Sequence, residues 1–161
     1  MAYTIAGLPV EPFKPFFGLP DEELAKSHIV RVTADAPVGY PCRVLLADAK
    51  PGDTLLLVNH EYQSADTPYR GRHAIFVNEA ATAPRIFVDA IPPVLSVRKA
   101  ISLRAYDVSG MMIDAEVVAG ADVEDCVLRM LANPAVAYLH AHNAARGCFA
   151  ARIDRSGNRA R

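Results

Sequence analysis

The sequence predicts an α+β domain: a mostly antiparallel β-sheet with one main helix packed on a face, preceded by an extended proline-rich arm. Three observations lead there. Short runs rich in Val, Ile, Leu and Phe recur between proline and glycine clusters, as strands do. Turn residues join neighbouring runs at hairpin spacing. One later segment, 122–132, carries a sustained helical period.

Residues 1–20 place Pro9, Pro12, Pro15 and Pro20 among Phe13, Phe16 and Phe17. Proline fixes φ and removes a backbone donor, so this segment is expected to be extended. It would either strap across the domain's own core or exchange with a second subunit in a homodimer. Residues 21–26 put acids first and Lys26 last, which suits the dipole of a short helix. Residues 29–33, 42–46, 54–60, 73–78 and 85–89 then read as strands. Lys50-Pro51-Gly52-Asp53 and Asp107-Val108-Ser109-Gly110 read as hairpin turns, the second joining Ile101–Tyr106 to Met112–Val118. In the first strand of that pair Ile101, Leu103 and Ala105 alternate with Ser102, Arg104 and Tyr106, the pattern of a sheet wet on one side. Across the pair, Arg104 with Asp114 and Glu116 would form a ladder of opposite charges.

The helix over 122–132 carries Val123, Cys126, Val127, Met130 and Leu131 on one face and ends at Asn133-Pro134. Cys126 is therefore expected in the core. Residues 136–142 and 148–153 form a closing hairpin, and 155–161 a tail that frays into solvent. The organisation is an arm (1–20), one domain (21–154) and a flexible tail (155–161).

A chain of 161 residues is long enough to bury one core and too short for two. Its formal net charge of -1 offers no clustered positive field for a phosphate backbone or anionic lipid, so neither nucleic acid nor a membrane is expected as partner. Prolines interrupt the first residues, no apolar run reaches membrane-spanning length, and the expected location is cytoplasmic. Cys42, Cys126 and Cys148 form no CxxC pair, which suits a reducing compartment.

Two constellations carry groups that bind or react. The first is the closing hairpin. His140 and His142 are two residues apart on a strand and share a face. If Ala144 to Gly147 form a four-residue turn, Asn143 faces Cys148, and the histidines share the face of Phe149, Ala151 and Ile153. If the loop takes in Asn143, His142 sits opposite Cys148, and the pair becomes a candidate nucleophile and base. Packing is the alternative role for Cys148. The two imidazoles fall short of the three or four ligands zinc requires, so no metal is assigned, and no cofactor is expected. The second constellation is the 61–72 connection, long for a hairpin, where Tyr62, Tyr69, Arg70 and Arg72 would clamp a carboxylate or phosphate.

The series Gly39-Tyr40-Pro41-Cys42-Arg43, Asp48-Ala49, Pro51-Gly52-Asp53, Leu55-Leu56-Leu57, Ile75-Phe76-Val77, Leu103-Arg104-Ala105-Tyr106-Asp107 and Gly147-Cys148-Phe149 resembles the bacterial domain of unknown function 1203 family. The resemblance spans roughly 21–154. It implies a small single-domain bacterial protein and supplies no activity to carry over.

The functional expectation is a binding module for a small anionic ligand or a protein partner. Its ligand-binding residues are Tyr62, Tyr69, Arg70, Arg72, His140 and Asn143. A Cys148/His142 enzyme and a purely structural, dimerising protein are the two rivals, so enzymatic activity stays open.

Overall fold

The computed structural model describes residues 2–157. In chain order the first half holds β1 (Tyr3–Ala6), α1 (Asp21–Ala25), β2 (Val30–Thr33), β3 (Pro41–Cys42), β4 (Ala47–Asp48), β5 (Thr54–Gln63) and β6 (Gly71–Asn78). The second half holds β7 (Ile86–Val88), α2 (Pro93–Ser96), β8 (Ile101–Tyr106), β9 (Met112–Val118), α3 (Val123–Ala132), β10 (Tyr138–Asn143) and β11 (Phe149–Arg155). The α+β class and the dominance of antiparallel sheet are as the sequence predicts.

The strands divide into two sheets. One has six strands in the order β7-β1-β11-β10-β8-β9, with every pairing antiparallel. The other has five in the order β2-β5-β6-β3-β4, in which only β3 and β6 run parallel. The core half of the alternation read in β8 holds, with Ile101, Leu103 and Ala105 facing the main core, which α3 covers with Val123, Cys126, Val127, Met130 and Leu131. The other face is not wet, since Tyr106 is buried against Tyr138 and His140. Burying side chains of this size is worth about 2 kcal/mol each before chain entropy is counted. A second core lies under the five-stranded sheet, where Leu56, Val58, Ile75 and Val77 meet Val10, Phe13 and Leu24.

Several local expectations need correction. Within the expected extended arm, Tyr3–Ala6 is a paired strand between β11 and β7, with Tyr3 and Ile5 in the main core. The proline-rich part that follows contains one 3-10 turn, Lys14–Phe16. Residues 43–46 form a turn rather than the body of a strand, with Leu46 at φ 50°. The strands flanking the expected 61–72 loop run on to Gln63 and start again at Gly71, so only 64–70 connects them. The charge ladder is absent because register sets Glu116 opposite Leu103 and Asp114 opposite Ala105, on the face turned from Arg104. Glu116 pairs with Arg129 of α3 instead, at 2.8 Å. Arg155 closes β11, donating to carbonyls of Leu131, Val136 and Asn133, and residues 158–161 of the expected tail lie outside the described residues. Among the described residues no helix is long and apolar enough to cross a membrane.

Candidate functional site: a cationic cleft at the closing hairpin

Gly147, at φ 75°, closes the turn between β10 and β11 in the left-handed conformation that favours glycine. Its N–H donates to Asn143 O at 2.7 Å, and Asn143 N–H donates to Cys148 O at 2.9 Å. Of the two registers open to the sequence, this is the four-residue turn, with His142 opposite Phe149. A bulge follows: Ala141 pairs with Ala151 and His140 with Arg152, leaving Ala150 as the extra residue. His140 and His142 therefore share a face with Phe149 and Arg152, while Ala151 and Ile153 turn to the main core.

That face packs against β5 as a layer of rings between the sheets. Tyr62 meets His142 edge-on at 4.9 Å between ring centres and lies parallel to Phe149 at 6.0 Å. Tyr106 sits 4.9 Å from His140 and stacks on Tyr138 at 5.2 Å. Such offset and edge contacts are worth roughly 0.5–1.5 kcal/mol beyond the area they bury. His142 is 0% exposed and His140 2%. His142 Nδ1 lies 2.9 Å from Gly147 O, and since a carbonyl only accepts, the proton belongs on Nδ1. Among the described residues, His142 Nε2 and His140 Nδ1 have no hydrogen-bond partner. Burial pushes the His140 imidazole down to about 3 and that of His142 to about 4, with neighbouring positive charge adding to both. Both rings are neutral in the folded chain at pH 7.

At the mouth of the same hairpin is a cleft of about 360 Å³, its polar lining made by Arg43, His73, Arg98, Asn143, Arg146 and Cys148. Arg43 follows β3, and its backbone N–H donates to Phe76 O at 3.0 Å. Its guanidinium, on a residue 2% exposed, donates to Phe149 O at 2.8 Å, to Pro41 O and to Cys148 Sγ at 3.2 Å. Asn143 Nδ2 donates to the same sulfur at 3.3 Å. Arg98 leaves the end of α2 and meets both oxygens of Asp48 at 3.0 and 3.1 Å. Arg146 stands exposed on the turn. Among the described residues no carboxylate lies within ion-pair distance of Arg43 or Arg146. Burial, and the like charge of Arg98, pull the Arg43 guanidinium below its ordinary value, while the Cys148 and Cys42 sulfurs act in the opposite sense. The arrangement can receive an anion on two or three guanidinium groups.

The structure brings together some of the sequence-predicted residues and separates others. Asn143 and Cys148 meet in the cleft, while the buried His140 and His142 and the half-buried Tyr62 belong to the ring layer. Cys148 and His142 are not paired, since the sulfur faces Arg43 and Asn143 and the imidazole faces Gly147. Tyr69 is exposed against the edge of Tyr106 at 6.5 Å. Arg72 stands opposite Glu61 on the face of the β5–β6 pair turned from the histidines, bonded to Asn59 at 2.6 Å. Arg70 pairs with Glu61 at 2.8 Å. Neither reaches the cleft. Arg43 and Arg98 escaped the sequence reading because nothing local marks a charge that topology will bury. Their one signal is that Arg43 sits among the residues carrying the family resemblance. Among the described residues no group of three His, Cys, Asp or Glu side chains is placed to hold a metal ion.

No curated protein and no solved structure matches the chain. A family model matches residues 39–155, a span that begins at the lip of the cleft, takes in all three of its arginines and runs through the closing hairpin to the end of β11. The chain belongs to the family described as protein of unknown function DUF1203.

Proposed function

We propose that this protein binds a small anionic ligand, a carboxylate or phosphate compound, in the cleft between the closing hairpin, the β3 turn and α2. One observation carries the reading: Arg43, a buried guanidinium with no carboxylate partner among the described residues, opens onto a concave surface that Arg98 and Arg146 also line. A buried charge with no counter-ion is costly, and an anion bound beside it relieves that cost. Guanidinium groups suit carboxylate and phosphate because their paired donors match the spacing of two oxygens. The side chains are already anchored: Arg43 by two carbonyls and Arg98 by Asp48, so little ordering remains to be done on binding. Three free, buried cysteines fit the reducing cytoplasm of a bacterium, where we place the protein.

The test is thermal denaturation of the intact chain in increasing inorganic phosphate, sulfate and a small dicarboxylate. A ligand that binds only the native state raises the midpoint, by about 2.7 kcal/mol of stability at a hundredfold excess over Kd. The rise should shrink in Arg146→Ala, whose side chain is exposed and contributes little to folding. No rise with any anion would refute the reading.

A further inference from the structure

The cleft holds one group that can react as well as bind. We infer that Cys148 is a nucleophile that exchanges with small disulfides bearing carboxylates, an inference that rests on the cleft being an anion site. Cys148 is 7% exposed and lines the cleft. Its sulfur receives two N–H donors, from Arg43 and Asn143, and so offers lone pairs rather than acting only as packing. A positive charge beside a thiol supports the anionic sulfur, the form that attacks. Arg43 is an observation independent of the thiol, since among the described residues its charge has no carboxylate partner, its remaining bonds going to the Phe149 and Pro41 carbonyls.

The other two thiols are built differently. Cys42 Sγ accepts backbone N–H groups of Leu45 and Asn78, at 3.4 and 3.3 Å, which pins the β3 turn to β6. Cys126 lies in the main core on α3; Arg129 Nη2 donates to its sulfur at 3.4 Å, but burial, with the Glu116 carboxylate adding to it, pushes its thiol up. Neither lines the cleft. His142 takes no part in activating Cys148, because its Nδ1 proton is committed to Gly147 O.

The reaction balances without any further reagent. Cys148 first loses its proton to water at the open mouth of the cleft. The thiolate then attacks one sulfur of the bound disulfide along the S–S axis. A new bond forms between Cys148 Sγ and that sulfur, the original S–S bond breaks, and its electron pair leaves with the other half as a thiolate. Cys148 and the departing half exchange oxidation state. Arg98 and Arg146 would hold the carboxylates of the incoming molecule, and a second thiol reverses the step.

The experiment uses the folded wild-type chain with the anionic dithiobis(nitrobenzoate) and the neutral dithiodipyridine. Rates are normalised to those of a small free thiol, and the modified peptide is identified by mass. Expected is a mixed disulfide at Cys148 ahead of Cys42 and Cys126, with an anion preference of about tenfold that falls with salt. Arg146→Ala should lower that preference. First modification at Cys42 or Cys126, an unmodified Cys148, or equal normalised rates for the two reagents would each overturn the inference. Stabilisation of the same chain by inorganic phosphate, with Cys148 unmodified, would remove the thiol chemistry and leave anion binding standing.

Discussion

Arg43 Nη2 lies 3.2 Å from Cys148 Sγ, a contact spanning 105 positions of sequence and joining the two sheets. Arg43 belongs to the turn after β3 in the five-stranded sheet, and Cys148 to the turn before β11 in the six-stranded one. The same guanidinium donates to Phe149 O, so one side chain ties the closing hairpin to the other sheet. This makes Arg43 a structural clasp as well as the floor of the cleft.

Replacing Arg43 by Met should therefore cost about 3 kcal/mol, because the carbonyls of the buried Phe149 and Pro41 lose their donor. Arg43→Lys should recover only part of this, since an ammonium cannot present three donors in the fork that these acceptors occupy. Urea denaturation of both variants checks it. A Met variant as stable as wild type would mean that the clasp carries no net energy.

The buried imidazoles make stability depend on pH in a defined sense. His140 and His142 titrate near 3 and 4 in the folded chain, against 6.5 for a free imidazole, so between those limits the unfolded chain binds more protons. Stability should be full above about pH 6.5 and fall as pH drops toward 4, with a limiting slope of about 1.4 kcal/mol per pH unit for each ring. Burial pushes His60 down as well, which acts in the same sense. Urea midpoints at pH 7 and pH 5 measure the slope, and His140→Phe, which suits the ring layer, should remove one proton's share of it. An unchanged slope would place the acid sensitivity elsewhere.

Much of this fold was legible in the sequence, and the reason is local. The β8–β9 hairpin, α3 and the closing hairpin each carry their own periodicity and turn chemistry, and their bounds follow within a residue or two. β1 was not legible because four residues leading into a proline-rich segment have no pattern of their own, and become a strand only by lying between β11 and β7. The site divides in the same way. Asn143 and Cys148 are neighbours across a turn that Gly147 announces, whereas Arg43 and Arg98 arrive from distant segments. Arg70 and Arg72, expected to clamp an anion, are engaged elsewhere: Glu61 pairs with Arg70, and Arg72 donates to Asn59.

Gly120 sets the position of Arg98. Its backbone N–H donates to Arg98 O at 2.9 Å, and a Cβ added there would come within 2.4–2.6 Å of the carbonyl oxygens of Leu95, Ser96 and Arg98. These are backbone atoms and cannot swing aside. Gly120→Ala should cost roughly 1–3 kcal/mol by overpacking, and by shifting the end of α2 it should also weaken phosphate binding at the cleft. Paired urea and phosphate titrations test both effects, and full affinity in a destabilised variant would show that α2 is not what positions Arg98.

Asp48 gives the opposite lever on the same site. Its carboxylate meets Arg98 with both oxygens and also accepts the N–H of Gly39, so it neutralises one of the three arginines that line the cleft. Asp48→Asn keeps the shape and an acceptor oxygen while removing the negative charge. Folding should lose about 1–2 kcal/mol, because a half-buried guanidinium is left without its counter-ion. Phosphate affinity should move the other way. An extra unbalanced positive charge a few ångströms from the ligand is worth about 1 kcal/mol at the dielectric of bulk water, roughly a fivefold lower Kd, and the gain should fade at high salt. Isothermal titration at two ionic strengths separates the outcomes. Tighter binding in a less stable protein is the signature of a cleft whose cations serve the ligand, whereas a parallel loss of both would mean that Arg98 serves only the fold.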